Sequence, residues 1–368
     1  MLKYARHMVL PYARTGSSVK PVDPIELVAQ SSVEAGVRER DWLVPATVMT
    51  AGLGLAALLL MPVAGYDQIP DYFSRFLHWM YFMFFGGMLL LILYMVRLWR
   101  AGVKSPIAHL KANLLTGSGL RLLAAVAGAM LGGIDMLFFM WIKPEVTAVS
   151  PFWADAMLAN VDHAIFRTDP WRFFEGMDLT FHAWAYSFFW AFAVMATMIW
   201  LLAQRPSAAR SASLISYFAL WSIFGPIGQY FFSSAGPIFY DRLAFGSRFD
   251  ELIANLPDVT LKVSGYLWTH HATGTLGVGA GISAMPSLHI ATVVWIYIVF
   301  RSVRSRVAPF AAAFAVYIWA LSVGLGWHYA VDGIVGAAGA VASQWLCSIY
   351  LRRMARKADA EEPVFAAS

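Results

Sequence analysis

Charge is what this chain is short of. Asp, Glu, Lys and Arg make up 13% of its 368 residues, hydrophobic side chains make up 59%, and mean hydropathy reaches +0.60. That balance excludes an ordinary soluble domain and describes a polytopic membrane protein. Cysteine is scarcer still. The single thiol, Cys347, lies in an apolar stretch, so the chain has no disulfide framework and no thiolate metal cage, and the residue reads as structural. An internal repeat, a heptad run and a low-complexity tract are also missing. The opening MLKYARHMVLPYAR lacks the apolar core and small-residue cleavage site of a secretory leader. Residues 1–43 are therefore expected to be a retained tail, partly an amphipathic surface helix.

What the chain has is long apolar runs. A hydrocarbon core about 30 Å thick needs roughly 20 apolar residues per helix. Runs of that size occur at 44–64, 77–98, 120–142, 180–203, 213–232, 286–302, 307–326 and 330–351. The fold class expected is all-α and polytopic, with about eight transmembrane helices. The positive-inside rule tests the count, because the loops must alternate in charge if no span has been missed. They do: 20 of the 27 Lys and Arg fall on one side, and the other side has seven, together with 13 of the 22 acids. Both termini are expected to be cytoplasmic, in a membrane of the bacterial inner (plasma) type. The formal charge of +5 thus follows topology and implies no nucleic acid partner.

Four regions follow: a tail at 1–43, N-terminal helices at 44–212, a catalytic membrane domain at 213–351, and a cytoplasmic end at 352–368 whose last residues, from 358, are expected to be disordered. Two long outer connections, 143–179 and 233–285, interrupt the helices. The first contains DHAIFRTDPWRFF, where Asp169-Pro170 signals a helix start; Trp171, Phe173 and Phe174 suit a helix lying in the headgroup interface. Asp135, deep in the third run, is expected to hydrogen-bond a neighbouring helix.

Chemistry concentrates in two short motifs on the outer side, AMPSLH at 284–289 and GWHYAVD at 326–332. His328 and Asp332 are four residues apart and share one helix face. Asp332 can hold the proton of one ring nitrogen and leave the other free to attack. The alternative is a histidine and an aspartate that satisfy each other at the interface. In AMPSLH, Pro286 begins a helix whose first N–H groups, with the Ser287 hydroxyl, form an oxyanion site. His289 suits a general acid for a leaving alkoxide.

P-S-x-H followed one hairpin later by H-x-x-x-D resembles the type 2 phosphatidic acid phosphatase superfamily. The form A-M-P-S-L-H with H-Y-A-V-D is most similar to its inositol phosphorylceramide synthase-like branch. The resemblance covers roughly 225–350. It implies a phosphohistidine on His328 oriented by Asp332, with His289 as acid and Ser287 in the phosphate cradle. No cofactor is expected, and no metal either, because no carboxylate at ligand spacing accompanies the His270-His271 pair. The resemblance also implies a phospholipid or polyprenyl phosphate substrate drawn from the bilayer, and transfer of a phosphoinositol-like headgroup to a hydroxyl acceptor.

Two features depart from that pattern. Ser322 stands six residues before His328, where these phosphatases usually carry Arg, and no upstream K-x6-R-P element is apparent. Arg242, in SSAGPIFYDR, is the first choice to meet the phosphate charge, with Arg248 as the next. Tyr240, His270, His271 and Tyr329 are candidate headgroup contacts. Hydrolysis with water as acceptor is the alternative within the same chemistry. A proton-relaying transporter is the alternative outside it, but transporters place their ionisable groups near the bilayer midplane, and here they gather at one face.

Overall fold

The computed structural model describes residues 38–60, 69–113, 119–275 and 279–361. The tail through residue 37, with its expected surface helix, and the end from 362 lie outside the described residues.

Thirteen α-helices run through these segments, which contain no strand. The N-terminal group is α1 (Arg40–Leu60), α2 (Ile69–Arg100), a short α3 (Pro106–Asn113) and α4 (Gly119–Val149). After α5 (Asp155–Phe166) the chain crosses back as α6 (Thr180–Ala203). The next crossing is composite: α7 (Ala208–Ala219), a π turn (Leu220–Phe224) and α8 (Gly225–Phe231). Two more helices, α9 (Asp250–Ala254) and α10 (Asp258–Thr273), precede the final three: α11 (Leu288–Ser302), α12 (Ala308–Gly324) and α13 (Ala330–Glu361).

Among the described residues, six crossings are long and apolar enough to span a bilayer, and α11 and α12 are shorter apolar helices of 15 and 17 residues. The molecule is an all-α polytopic membrane protein. Rings such as Phe84, Phe85, Phe188 and Phe310 face outward because the surrounding solvent is hydrocarbon.

Several boundaries differ from the sequence expectation, among them the start of α2 at Ile69 instead of 77. Helix α4 runs past residue 142 to Val149 with Pro144 inside it, which moves Lys143 from a connection to the end of a span. Helix α13 continues to Glu361, beyond the start of the expected disordered end. The Pro170–Phe174 segment does begin at Asp169-Pro170, but it is one 3-10 turn instead of an interfacial helix. Trp171 is buried there, and Phe174 fits against Gly324 of α12.

The catalytic-end packing centres on α11, which lies against α12, α13 and α7. Trp295 of α11 is fully buried and donates from Nε1 to the Ser213 carbonyl on α7 at 2.8 Å. Asp135 finds its partners across two interfaces: Thr50 of α1 and Ser222 in the π turn both donate to its Oδ1. The π turn matters because the extra residue per turn rotates Ser222 toward α4.

Candidate active site

The two motifs meet at the start of the last helices. Ser287 caps α11, its Oγ accepting the Ile290 N–H at 3.4 Å, while its own N–H donates to the Asp332 carbonyl at 3.2 Å. The helix starts at Leu288, two residues later than Pro286 suggests, because the serine hydroxyl takes over the capping position. Helix α13 comes close enough that a Cβ at Gly336 would collide with the Ser287 carbonyl, so only glycine permits this approach.

His328 lies just before α13 and is almost enclosed, with 6% exposed. Its Nδ1 is 2.8 Å from the Ala284 carbonyl and 3.6 Å from Asp332 Oδ2. Both neighbours are acceptors only, so Nδ1 must carry the proton and Nε2 the lone pair. Nε2 lies 3.2 Å from Ser287 Oγ, which can donate to it. Asp332 was expected to be the orienting group, but the backbone of AMPSLH provides the nearer acceptor. Asp332 is fully buried; its Oδ2 accepts the Tyr329 N–H at 2.8 Å, and Oδ1 has no hydrogen-bond partner.

His289 projects from the first turn of α11, its ring centroid 6.1 Å from that of His328. It is held between Tyr186, stacked at 4.8 Å, and Trp190 at 4.0 Å, both on α6. The N–H groups of Leu288 and His289, the first two of the helix, have no acceptor among the described residues.

The start of α13 is finished from a distance. Asp162 of α5 accepts the N–H of Ala330 at 2.6 Å and of Val331 at 2.9 Å. Asp155, two turns earlier on the same face of α5, accepts Ala235 and Gly236 N–H at 2.9 and 2.8 Å and the Tyr329 hydroxyl at 3.0 Å. Gly236, at φ +99°, passes so close to the Trp327 carbonyl that a side chain would collide with it. Burial outweighs these hydrogen bonds and pushes both carboxyls up to about 6. A small cavity of about 10 Å³, room for one water, lies between His328, Asp162 and Asp169.

The remaining candidates are placed elsewhere. Arg248 is engaged with Asp169, the Asn160 side chain and the Ala159 carbonyl, so its fork is already filled. Burial pulls the Asp169 carboxyl upward, but Arg248 and His163 together hold it below the usual carboxylate range. Arg242 is exposed and lies 5.6 Å over the Trp268 ring. Tyr240 and Tyr329 are both buried, at 5% and 1% exposed, which removes them from the entrance; Tyr240 packs on Phe249. His270 bonds Thr275 at 2.8 Å on an exposed helix end, and His271 packs between Phe152 and Trp268. Ser322 turns its hydroxyl back to the Trp319 carbonyl.

Lys143 is the residue sequence reasoning missed. Its stem lies against Gly281, in the loop that leads into AMPSLH, and its ammonium is within electrostatic reach of His289. Gln229 fixes its carbonyl at 2.7 Å, and among the described residues it has no ion pair.

Residues 175–346 match the PAP2 superfamily. The PAP2 stretch contains Ser287, His289, His328 and Asp332 and leaves out Lys143, Asp155, Asp162 and Asp169. No curated protein and no solved structure matches the chain. The PAP2 match supports a lipid phosphate phosphatase type of function for a membrane-embedded enzyme acting on a phosphate ester.

Proposed function

We propose that this protein is a membrane phosphotransferase that works on lipid phosphate esters through a phosphohistidine at His328. The observation that carries the reading is the fixed tautomer: with the Nδ1 proton donated to the Ala284 carbonyl and the Asp332 carboxylate 3.6 Å from the same nitrogen, Nε2 keeps its lone pair. In the first step Nε2 attacks phosphorus, the P–O bond to the lipid breaks, and His289 gives a proton to the departing alkoxide. In the second, His289 takes a proton from the acceptor hydroxyl, the new P–O bond forms and the P–N bond breaks, which restores His328. The open Leu288 and His289 N–H groups and the Ser287 hydroxyl receive the phosphate oxygens.

Lys143 is the cation of this reading, in place of Arg242 and Arg248. One ammonium in a nearly enclosed site suits a phosphodiester, which carries one negative charge fewer than a monoester. That favours headgroup transfer, with a phosphoinositol-like group as the first candidate, over hydrolysis of phosphatidic acid. The charge pattern of the loops supports a reaction on the outer face.

Product analysis tests the reading. Purified protein in mixed micelles receives labelled phosphatidic acid in one reaction, and labelled phosphatidylinositol with ceramide or diacylglycerol in another, each beside His328→Ala. A new headgroup-bearing lipid that disappears with the substitution is expected. Free phosphate alone, lost with the substitution, would establish a phosphatase instead, and activity indifferent to His328→Ala would sink the mechanism.

A further inference from the structure

The two histidines of the site are held in different ways. His328 is fixed by a hydrogen bond, its Nδ1 donating to the Ala284 carbonyl at 2.8 Å. Neither ring nitrogen of His289 has such a partner among the described residues, although an acid must present one nitrogen to a single oxygen. The imidazole χ2 torsion is broad, so a histidine on the first turn of a helix swings unless something restrains it.

The restraint comes from α6. Its rings divide: Trp184, Phe188 and Phe189 are exposed to lipid, whereas Tyr186 and Trp190, four residues apart on one face, turn inward against His289. Tyr186 lies nearly parallel to the imidazole, at 19°, and Trp190 is tilted by 39°. Trp190 is itself locked to the helix that carries His289. Its Nε1 donates to Thr292 Oγ1 at 2.8 Å, and the Thr292 hydroxyl donates to the Leu288 carbonyl at 2.7 Å, which ties the indole to the turn from which His289 projects. Trp221 of the π turn lies at 6.4 Å and packs edge-on to Phe139 of α4, so further rings back the indole.

We infer that Trp190 and Tyr186 are positioning residues that hold His289 by its faces, in place of a hydrogen bond, and aim it at the leaving oxygen. A hydrogen bond would occupy the second ring nitrogen. Two stacked rings fix the plane of the imidazole and leave both nitrogens free to exchange protons. Aromatic faces also attract a cation, so the clamp holds the ring in both protonation states through which an acid–base group passes. The inference rests on the reading of His289 as acid and base, and it adds a specificity: the clamp matters most where the departing group needs a proton. A lipid alkoxide needs one. A p-nitrophenolate leaves without it, because its negative charge is spread over the ring.

Single-turnover kinetics on the full chain in mixed micelles separate the two leaving groups. The donors are phosphatidylinositol and its analogue with p-nitrophenol in place of diacylglycerol; where the product is free phosphate, they are phosphatidic acid and p-nitrophenyl phosphate. Trp190→Leu should slow the lipid donor by about 10²-fold at saturation, with the half-saturating concentration little changed, and the p-nitrophenyl donor by less than about threefold. Tyr186→Leu should show the same selectivity, and Tyr186→Phe, which keeps the ring, should recover most of the lost rate. In His289→Ala, Trp190→Leu should add no further loss, because both changes remove one function. Should Trp190→Leu fold poorly, Trp190→Phe keeps a ring without the Thr292 bond and should show a smaller loss, again confined to the lipid donor. Equal losses on the two donors, or a loss that adds to that of His289→Ala, would overturn the clamp. The phosphotransfer reading fails separately, if both donors react as fast in His328→Ala as in the unsubstituted protein.

Discussion

Two helix starts face His328, and they are finished in opposite ways. Every α-helix begins with backbone N–H groups that lack an intrahelical acceptor and carry partial positive charge. At α13 the N–H groups of Tyr329, Ala330 and Val331 are all taken by buried carboxylates, Asp332 from within the helix and Asp162 from α5. At α11 the cap is the neutral Ser287 hydroxyl, and the N–H groups of Leu288 and His289 stay open. The carboxylates make α13 a fixed mount that cannot accept an anion. The serine leaves α11 able to do so. The contrast shows which donors hold the fold and which are available to a phosphate.

The sharpest way to break the contrast is to make the two starts alike. Ser287→Asp keeps a competent cap, so the thermal midpoint should stay within a few degrees, while turnover should fall by about 10³-fold or more because a carboxylate now occupies the anion's place. Lys143→Met removes the cation that complements the open start; turnover should fall by about 10²–10³-fold, with thermal stability unchanged or improved as a half-buried charge with no ion pair among the described residues disappears. Asp162→Ala attacks the other side. Two buried donors lose their acceptor, for a loss of roughly 2–4 kcal/mol read as a lower midpoint in detergent, and surviving folded protein should keep most of its turnover.

The smallest effect concerns pH. Asp155 and Asp162 have folded values near 6, above the ordinary carboxylate value, so the folded protein binds their protons more tightly than the unfolded chain. Their contribution is therefore present in acid and is lost as pH rises from about 4 to about 6, with no further change above. A thermal midpoint that falls across that window, and falls less in Asp162→Asn, is the expected result. Acids such as Asp169, whose folded value is depressed by Arg248 and His163, act in the other direction and lower down: their contribution is present above about pH 4 and is lost as pH falls further. A midpoint that does not fall between about 4 and 6 would remove Asp155 and Asp162 from control.

The spans were readable because hydrocarbon demands unbroken apolar runs, and α6 agrees with its run at both ends. His328, Asp332, Ser287 and His289 were readable because short spacing along the chain brings their chemistry together. Lys143 was hidden by Pro144, which reads as a helix stop but lies inside α4, where packing against neighbouring helices supports the interrupted backbone. The roles of Asp155 and Asp162 had no local signal at all. Each depends on amides between 80 and 169 residues away, and a carboxylate in a polar connection looks the same whether it caps a distant helix or faces water. Arg248 was misread for the same reason, since its partner Asp169 is 79 residues earlier.

The reach of Asp162 also sets an order of assembly. The bond to Ala330 spans 168 residues, and a ribosome adds roughly 5–20 residues per second. For roughly 10–30 s after Asp162 is made, then, its acceptor oxygens have no α13 to receive. The mount for His328 is completed only when the final hairpin enters the membrane, so a nascent chain arrested before that point already has most of its spans but holds no reactive centre.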